Sequence, residues 1–182
     1  MVYIFLADGF EEAEALVPAD LLRRAGAEVK LVGVTGQTVL GAHGISVNSD
    51  ISLDQVQEQA MEMLVIPGGL PGVTNVAASA KAMELVKAAA GSDCYLAAIC
   101  AAPSIVLGPV GILNGRKATC YPSMEAGMTG AQAQEGQSVV VDGDLITGEG
   151  PGAAFDFGLK LVEVLKGTET MQQVAGDACW RH

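Results

Sequence analysis

Cys100 stands at the junction of two apolar segments, Tyr95–Ile99 and 104–107. The first is short and almost wholly apolar, the pattern of a strand buried on both faces of a parallel sheet. The second opens through Ala101, Ala102 and Pro103. Proline suits the first turn of a helix, where a missing N–H leaves nothing unmade. A thiol at such a bend faces the unpaired amides and positive end of the helix, which favour the nucleophilic thiolate. The same position also suits a buried cysteine acting as a small hydrophobe.

Glu14 is the second candidate. At about 100° per residue it shares a helical stripe with Val17, Pro18, Leu21 and Ala25, while Glu12, Asp20 and Arg23 take the other side. A carboxyl buried in an apolar stripe loses its hydration, so its pKa rises and it keeps its proton near neutrality. A frayed helix start would instead leave it in water. Glu11 lies between the faces and reads as a first-turn acid favoured by the helix dipole. Gly68 and Gly69 follow another apolar run. Their amides can turn into a shared crevice and stabilise an oxyanion, although plain turns use the same residues.

Other residues offer less. Gly148-Glu149-Gly150-Pro151-Gly152 lacks a phosphate-binding lysine and carries a repelling carboxylate, so it reads as a helix entry. His43 sits in an exposed stretch and reads as a surface residue; any site it reaches belongs to a neighbouring subunit. Cys94 starts the Cys100 strand and so lies at the opposite end of the sheet, whereas Cys120 ends its own strand and can approach the cleft. Met61, Met63 and Met83 read as core filling. Cys179 and Trp180 belong to a tail without an assignment.

These residues need a scaffold that brings strand ends together. The opening apolar run to Leu6 reads as a first strand, followed by a helix to Arg24 that Gly26 ends and Pro18 should bend or break. Residues 29–34 form a second strand, 38–52 a hairpin-like excursion, 53–60 a short helix and Met63–Ile66 a third buried strand. The stretch 67–72 is a loop that no regular element tolerates. A helix over 79–90 precedes the Cys100 strand. Residues 117–121 read as a strand, 124–136 have no clear pattern, and 139–147 form a hairpin around Asp-Gly. Helices over 153–165 and 168–175 close the chain. This alternation gives a single α/β domain over 1–182 with a mostly parallel sheet, whose sites belong at the carboxyl ends of its strands.

Composition narrows the functions. Half of the 182 residues are hydrophobic and 17% are charged, so a packed core rather than disorder is expected. The net charge of −11, with one tryptophan and no basic cluster, argues against a nucleic-acid surface. The first apolar run is too short for a signal peptide or membrane span. The four cysteines form no C-x-x-C pair and the histidines are His43 and His182 alone, so no zinc site is expected. The cysteines read as free thiols in a reducing cytoplasm.

Several segments together resemble the DJ-1/ThiJ/PfpI superfamily and, within it, the DJ-1-like bacterial branch. They are Gly9-Phe10-Glu11-Glu12-Ala13-Glu14, Arg23-Arg24-Ala25-Gly26, Ile66-Pro67-Gly68-Gly69, Ala97-Ala98-Ile99-Cys100-Ala101-Ala102-Pro103 and Gly150-Pro151-Gly152 followed by Phe155-Asp156-Phe157. The resemblance implies a flavodoxin-like three-layer sandwich, similar to class I glutamine amidotransferases, and a homodimer. It makes Cys100 a nucleophile-elbow cysteine in mild backbone strain, hydrogen-bonded to protonated Glu14, with the amides of Gly69 and Ala101 at the oxyanion site beside Gly68. It adds Tyr121, Arg24 and His43 of the partner subunit around that centre. The implied activity is glutathione-independent conversion of methylglyoxal, a small α-oxoaldehyde, or removal of glycation adducts, without a cofactor. The alternative is an oxidative-stress protein or chaperone in which Cys100 becomes a sulfinate. Ala101 stands where peptidase-like members carry a histidine, so a peptidase dyad is absent. Tyr121 replaces another histidine common in the DJ-1-like members, which removes a proton shuttle and lowers the expected turnover.

Overall fold

The computed structural model describes residues 1–181. Strand β1 (Val2–Leu6) is buried at every position, and helix α1 (Glu12–Arg24) follows it. Pro18 does not break α1. Its missing N–H leaves the Glu14 carbonyl without the usual donor four residues on. Strand β2 (Val29–Gly33) then pairs in parallel with β1.

The excursion expected over 38–52 is a separate antiparallel hairpin of β3 (Thr38–Leu40) and β4 (Ser46–Asn48). The two-residue β5 (Ile51–Ser52) joins the edge of β2. The helix expected over 53–60 is two single turns, Leu53–Gln55 and Glu58–Ala60, because Val56 and Gln57 are extended between them.

Strand β6 (Met63–Ile66) runs into the glycine loop, which ends sooner than its composition suggests. Helix α2 (Gly72–Ala78) begins at its last glycine. Helix α3 (Ala80–Ala90) starts where the Ser79 hydroxyl accepts the Ala82 N–H, and Gly91 closes it. Strand β7 (Tyr95–Ile99) leads to Cys100. The following segment, Pro103–Leu107, winds in wide π-type turns rather than as an α-helix.

The strand expected over 117–121 shrinks to β8 (Lys117–Ala118), which pairs with β9 (Gln132–Ala133) outside the main sheet. The next amides are used elsewhere: Thr119 N–H donates to Thr147 Oγ1 and Tyr121 N–H to the Cys100 carbonyl. The Asp-Gly hairpin is present as β10 (Val139–Asp142) and β11 (Leu145–Gly148). Helices α4 (Ala154–Lys166) and α5 (Thr168–Asp177) complete the chain.

Among the described residues the main sheet has seven strands in the order β10-β11-β7-β6-β1-β2-β5, all parallel except β10. Helices α1, α4 and α5 pack as one group, and α2, α3 and the Pro103–Leu107 turn as another, which makes the flavodoxin-like sandwich. From β1 the chain first moves outward to β2 and later returns to β6 on β1's other side. That reversal opens a crevice at the strands' carboxyl ends, the usual place for a site in such folds. No helix among the described residues is long and apolar enough to cross a membrane.

Candidate active site

Cys100 follows the last residue of β7 with φ +65°, a left-handed conformation uncommon for a residue with a side chain. Holding it costs about 1–3 kcal/mol, which the surroundings must supply. Its N–H donates to the Gly148 carbonyl at 2.9 Å and its carbonyl accepts the Tyr121 N–H at 2.8 Å, so both sides of the bend are pinned. Only 9% of the residue is exposed. The amides of Gly69 and Ala101 face the thiol sulfur and lower its proton affinity.

Glu14 arrives from α1, with no exposed surface. Oε2 accepts the Gly68 N–H at 2.7 Å, while Oε1 is buried and takes no N–H or O–H donor. The carboxyl faces the Cys100 thiol, and each group shifts the other's proton affinity. Gly68 sits between them. A Cβ there would lie 2.6 Å from both the Cys100 Cβ and Glu14 Oε2. Gly69 has φ +89°, and a side chain would run into the Glu11 amide and the Gly9 carbonyl. Glycine is required at both positions, at Gly68 for space and at Gly69 also for its backbone angle.

Burial pushes the Glu14 carboxyl up to about 7, against the lowering effect of the Gly68 amide and the Cys100 contact. The Cys100 thiol is pushed up to about 12, first by burial and then by the charge and hydrogen bond of Glu14. The thiolate expected from the strand-to-helix bend is therefore opposed here, although the Ala101 and Gly69 amides do pull the thiol down. Two anions cannot share so dry a space, so the pair holds a proton between them. When Glu14 carries it, the repulsion of a carboxylate against sulfur disappears and the O–H can donate to a thiolate.

The remaining residues fall in different places. Tyr121 touches the centre through its backbone, and the residue is 46% exposed. Arg24 does not join Glu14 in this chain. It lies ten residues further along α1, about 15 Å at 1.5 Å per residue, and pairs with Asp20 at 2.7 Å. His43 is exposed, and its backbone N–H and Nδ1 meet Glu12 at 2.8 and 2.9 Å within its own chain. Cys94 is buried at the far end of β7, and burial raises its thiol to about 11. Cys120 is buried beside Ser104, and Cys179 is exposed.

Glu12 corrects the helical reading. It was expected on the wet face and is only 5% exposed, because the β3–β4 hairpin folds over it. A side chain on Gly41 would overlap the Glu12 carboxyl, so this glycine lets the hairpin close. The ligand-type atoms of Glu11, Glu12 and His43 lie within 4.8 Å of one another, and the Glu12–His43 hydrogen bonds account for much of that grouping.

An α/β sandwich with a left-handed cysteine at a strand-to-helix bend belongs, by its backbone geometry, to the nucleophile-elbow class. Beyond that class, residues 1–164 match the model of the DJ-1/PfpI family, and the chain belongs to it. It is 38% identical over 174 residues to Protein dj-1beta of Drosophila melanogaster, covering 94% of this chain and 92% of that one. The crystal structure of Drosophila melanogaster DJ-1beta superposes with a TM-score of 0.94 at 37% identity, over 100% of this chain and 98% of the other. The structure described as Toxoplasma gondii DJ-1, oxidized, gives 0.93 at 34% identity over 100% and 98%. A Caenorhabditis elegans relative named glutathione-independent glyoxalase DJR-1.2 is 35% identical, covering 93% of this chain and 90% of its own.

Proposed function

We propose that the chain is a cofactor-free cysteine enzyme that converts methylglyoxal, or its early adducts, to a hydroxy acid without glutathione. The observation that carries this reading is the strained Cys100 with two amides and a buried carboxyl around its sulfur. The glyoxalase name of the C. elegans relative agrees with it. The thiolate adds to the aldehyde carbon, and the proton held by the Cys100–Glu14 pair passes to the new alkoxide, giving a hemithioacetal. The Gly69 and Ala101 amides hold that oxygen while its charge develops. Glu14, now a carboxylate, takes the proton from the former aldehyde carbon, and the hydroxyl proton of that carbon passes to the neighbouring carbonyl oxygen. Glu14 then delivers its proton to the neighbouring carbon, leaving the thioester of a 2-hydroxy acid. Water then adds its hydroxyl to the acyl carbon and returns a proton to sulfur, releasing lactate. A carboxyl that titrates near neutrality is suited to both transfers. Lactate formation from methylglyoxal should vanish in Cys100→Ser; wild-type turnover by that variant would sink the mechanism.

A second reading has its own support in the relative described as oxidized. Two equivalents of peroxide would take the thiolate through sulfenate to sulfinate, each releasing water or hydroxide. Protonated Glu14 would then donate to a sulfinate oxygen. Mass spectrometry should find two added oxygens on Cys100 before Cys94 or Cys179, and equal oxidation of all three removes this role.

The same proposal includes a cytoplasmic setting, in keeping with the four free cysteines, and a homodimer, supported by three exposed apolar residues near the first loops, Leu40, Ile45 and Leu70. A two-fold partner would cover them and bring its own hairpin toward this site, including His43 of the partner subunit. Light scattering at micromolar concentration should give twice the 18.6 kDa chain mass. A monomer discards the dimer and leaves the thiol chemistry intact.

A further inference from the structure

Two cavities adjoin the residues that pin the Cys100 backbone. One of about 490 Å³ is lined by Tyr121, Pro122, Ser138, Glu149 and the loop 150–153. The other, about 300 Å³, shares Pro122 and Glu149 with it and adds Cys120, Glu125 and Glu135. Tyr121 donates its N–H to the Cys100 carbonyl, and Glu149 directly follows Gly148, which accepts the Cys100 N–H. The two residues are thus fixed at opposite ends of the elbow.

Their chemistry has one sign. Glu125, Glu135 and Glu149 supply the charged side chains, and no lysine, arginine or histidine lines either cavity among the described residues. The Glu149 carboxylate makes no ion pair among those residues. Tyr121 remains 46% exposed, and its ring lies against Gly150, where a Cβ would come within 3.3 Å of its Cδ2. A carboxylate with an aromatic face attracts a cation through its charge and the ring quadrupole, and repels an anion.

We propose that Glu149 and Tyr121 form a charge-selective subsite of the Cys100 centre. It favours carbonyl substrates that carry an ammonium or guanidinium away from the reacting carbon over those that carry a carboxylate. This inference rests on the reading of Cys100 as the reacting atom and adds the class of substrate.

Matched methanethiosulfonates test it without turnover. The thiolate attacks the reagent's sulfenyl sulfur, a mixed disulfide forms and methanesulfinate leaves. Rates for the cationic 2-aminoethyl and anionic 2-sulfonatoethyl reagents are read at the Cys100 peptide by mass spectrometry, each divided by its rate with a small free thiol. The wild-type ratio should favour the cation by about tenfold, and Glu149→Gln should cut that preference about fivefold. Tyr121→Leu should cut it by about two- to threefold, and Glu149→Lys should reverse it. A wild-type ratio equal to that of the free thiol, or one unmoved by Glu149→Gln, overturns the proposal. Lactate assays on the same preparations separate the two readings: charge selectivity without turnover retains the subsite and removes the glyoxalase activity.

Discussion

Glu12 and Glu14 sit two residues apart on one helix, both sheltered from solvent, and their proton affinities move in opposite directions. Burial raises both. At Glu12 the His43 ring and the His43 and Ile45 amides outweigh it and hold the carboxyl below its ordinary value. At Glu14 one amide and a thiol do not outweigh it. Glu12 lies under a single loop at the surface, whereas Glu14 lies at the centre of the crevice. Loss of water is common to the two; the supply of donors decides which one keeps its proton.

The largest test of that contrast is Glu14→Gln. Turnover of methylglyoxal should fall about a thousandfold, within the range of an essential acid–base group. Its stability should move the other way. The unfolded carboxyl releases its proton near 4.5 and the folded one near 7, so the folded state holds more protons between those values and loses stability as pH rises. The neutral amide escapes that loss, gaining about 3 kcal/mol over wild type above pH 7 and little below pH 4.5. Urea titrations at pH 5 and pH 8 measure it; an equal effect at both would refute a protonated Glu14.

Gly68→Ala attacks the same pair through space alone. The new methyl would sit between sulfur and carboxyl, and turnover should fall about a hundredfold through misplacement. Near-normal kinetics would show that the close Cys100–Glu14 approach is not needed. Glu12→Gln should behave unlike Glu14→Gln, losing about 1–3 kcal/mol at pH 7 because charge-assisted bonds to the hairpin are weakened. Stabilisation there would collapse the comparison.

The smallest effect belongs to His43, whose pKa is raised first by its bond to Glu12 and then by the Glu11 charge. Its contribution is full below the ordinary value of 6.5 and declines as pH rises through the raised folded value. Amide exchange at residues 42–45, corrected for intrinsic rates, should lose protection over that rise, and His43→Asn should flatten the profile.

The sequence made Glu14 legible because its neighbours three, four and seven positions on are apolar, and periodicity reports which helical face is inside. The same rule misplaced Glu12, since the loop that covers it comes 31 residues later and leaves no mark on the local pattern. Local reading failed again at 117–121, where the next amides serve Thr147 and Cys100 rather than a strand. It missed α2 because Gly72, Val73 and Thr74 are weak helix formers after a proline-glycine loop. The elbow was legible as a bend, but not the burial that opposes its thiolate.

The crevice between β1 and β6 has a consequence for how the chain acquires its chemistry. Glu14, Gly68 and Cys100 follow three different strands, and the Gly68–Glu14 bond alone closes a separation of 54 residues. Parallel pairing of this kind is slow, because loop entropy must be lost before the contacts repay it. The sulfur's environment exists only after those strands are in register. The labelling rate of Cys100 is therefore a clock for folding: a nascent or misassembled chain presents an ordinary thiol, and the strained, shielded one appears with the native sheet.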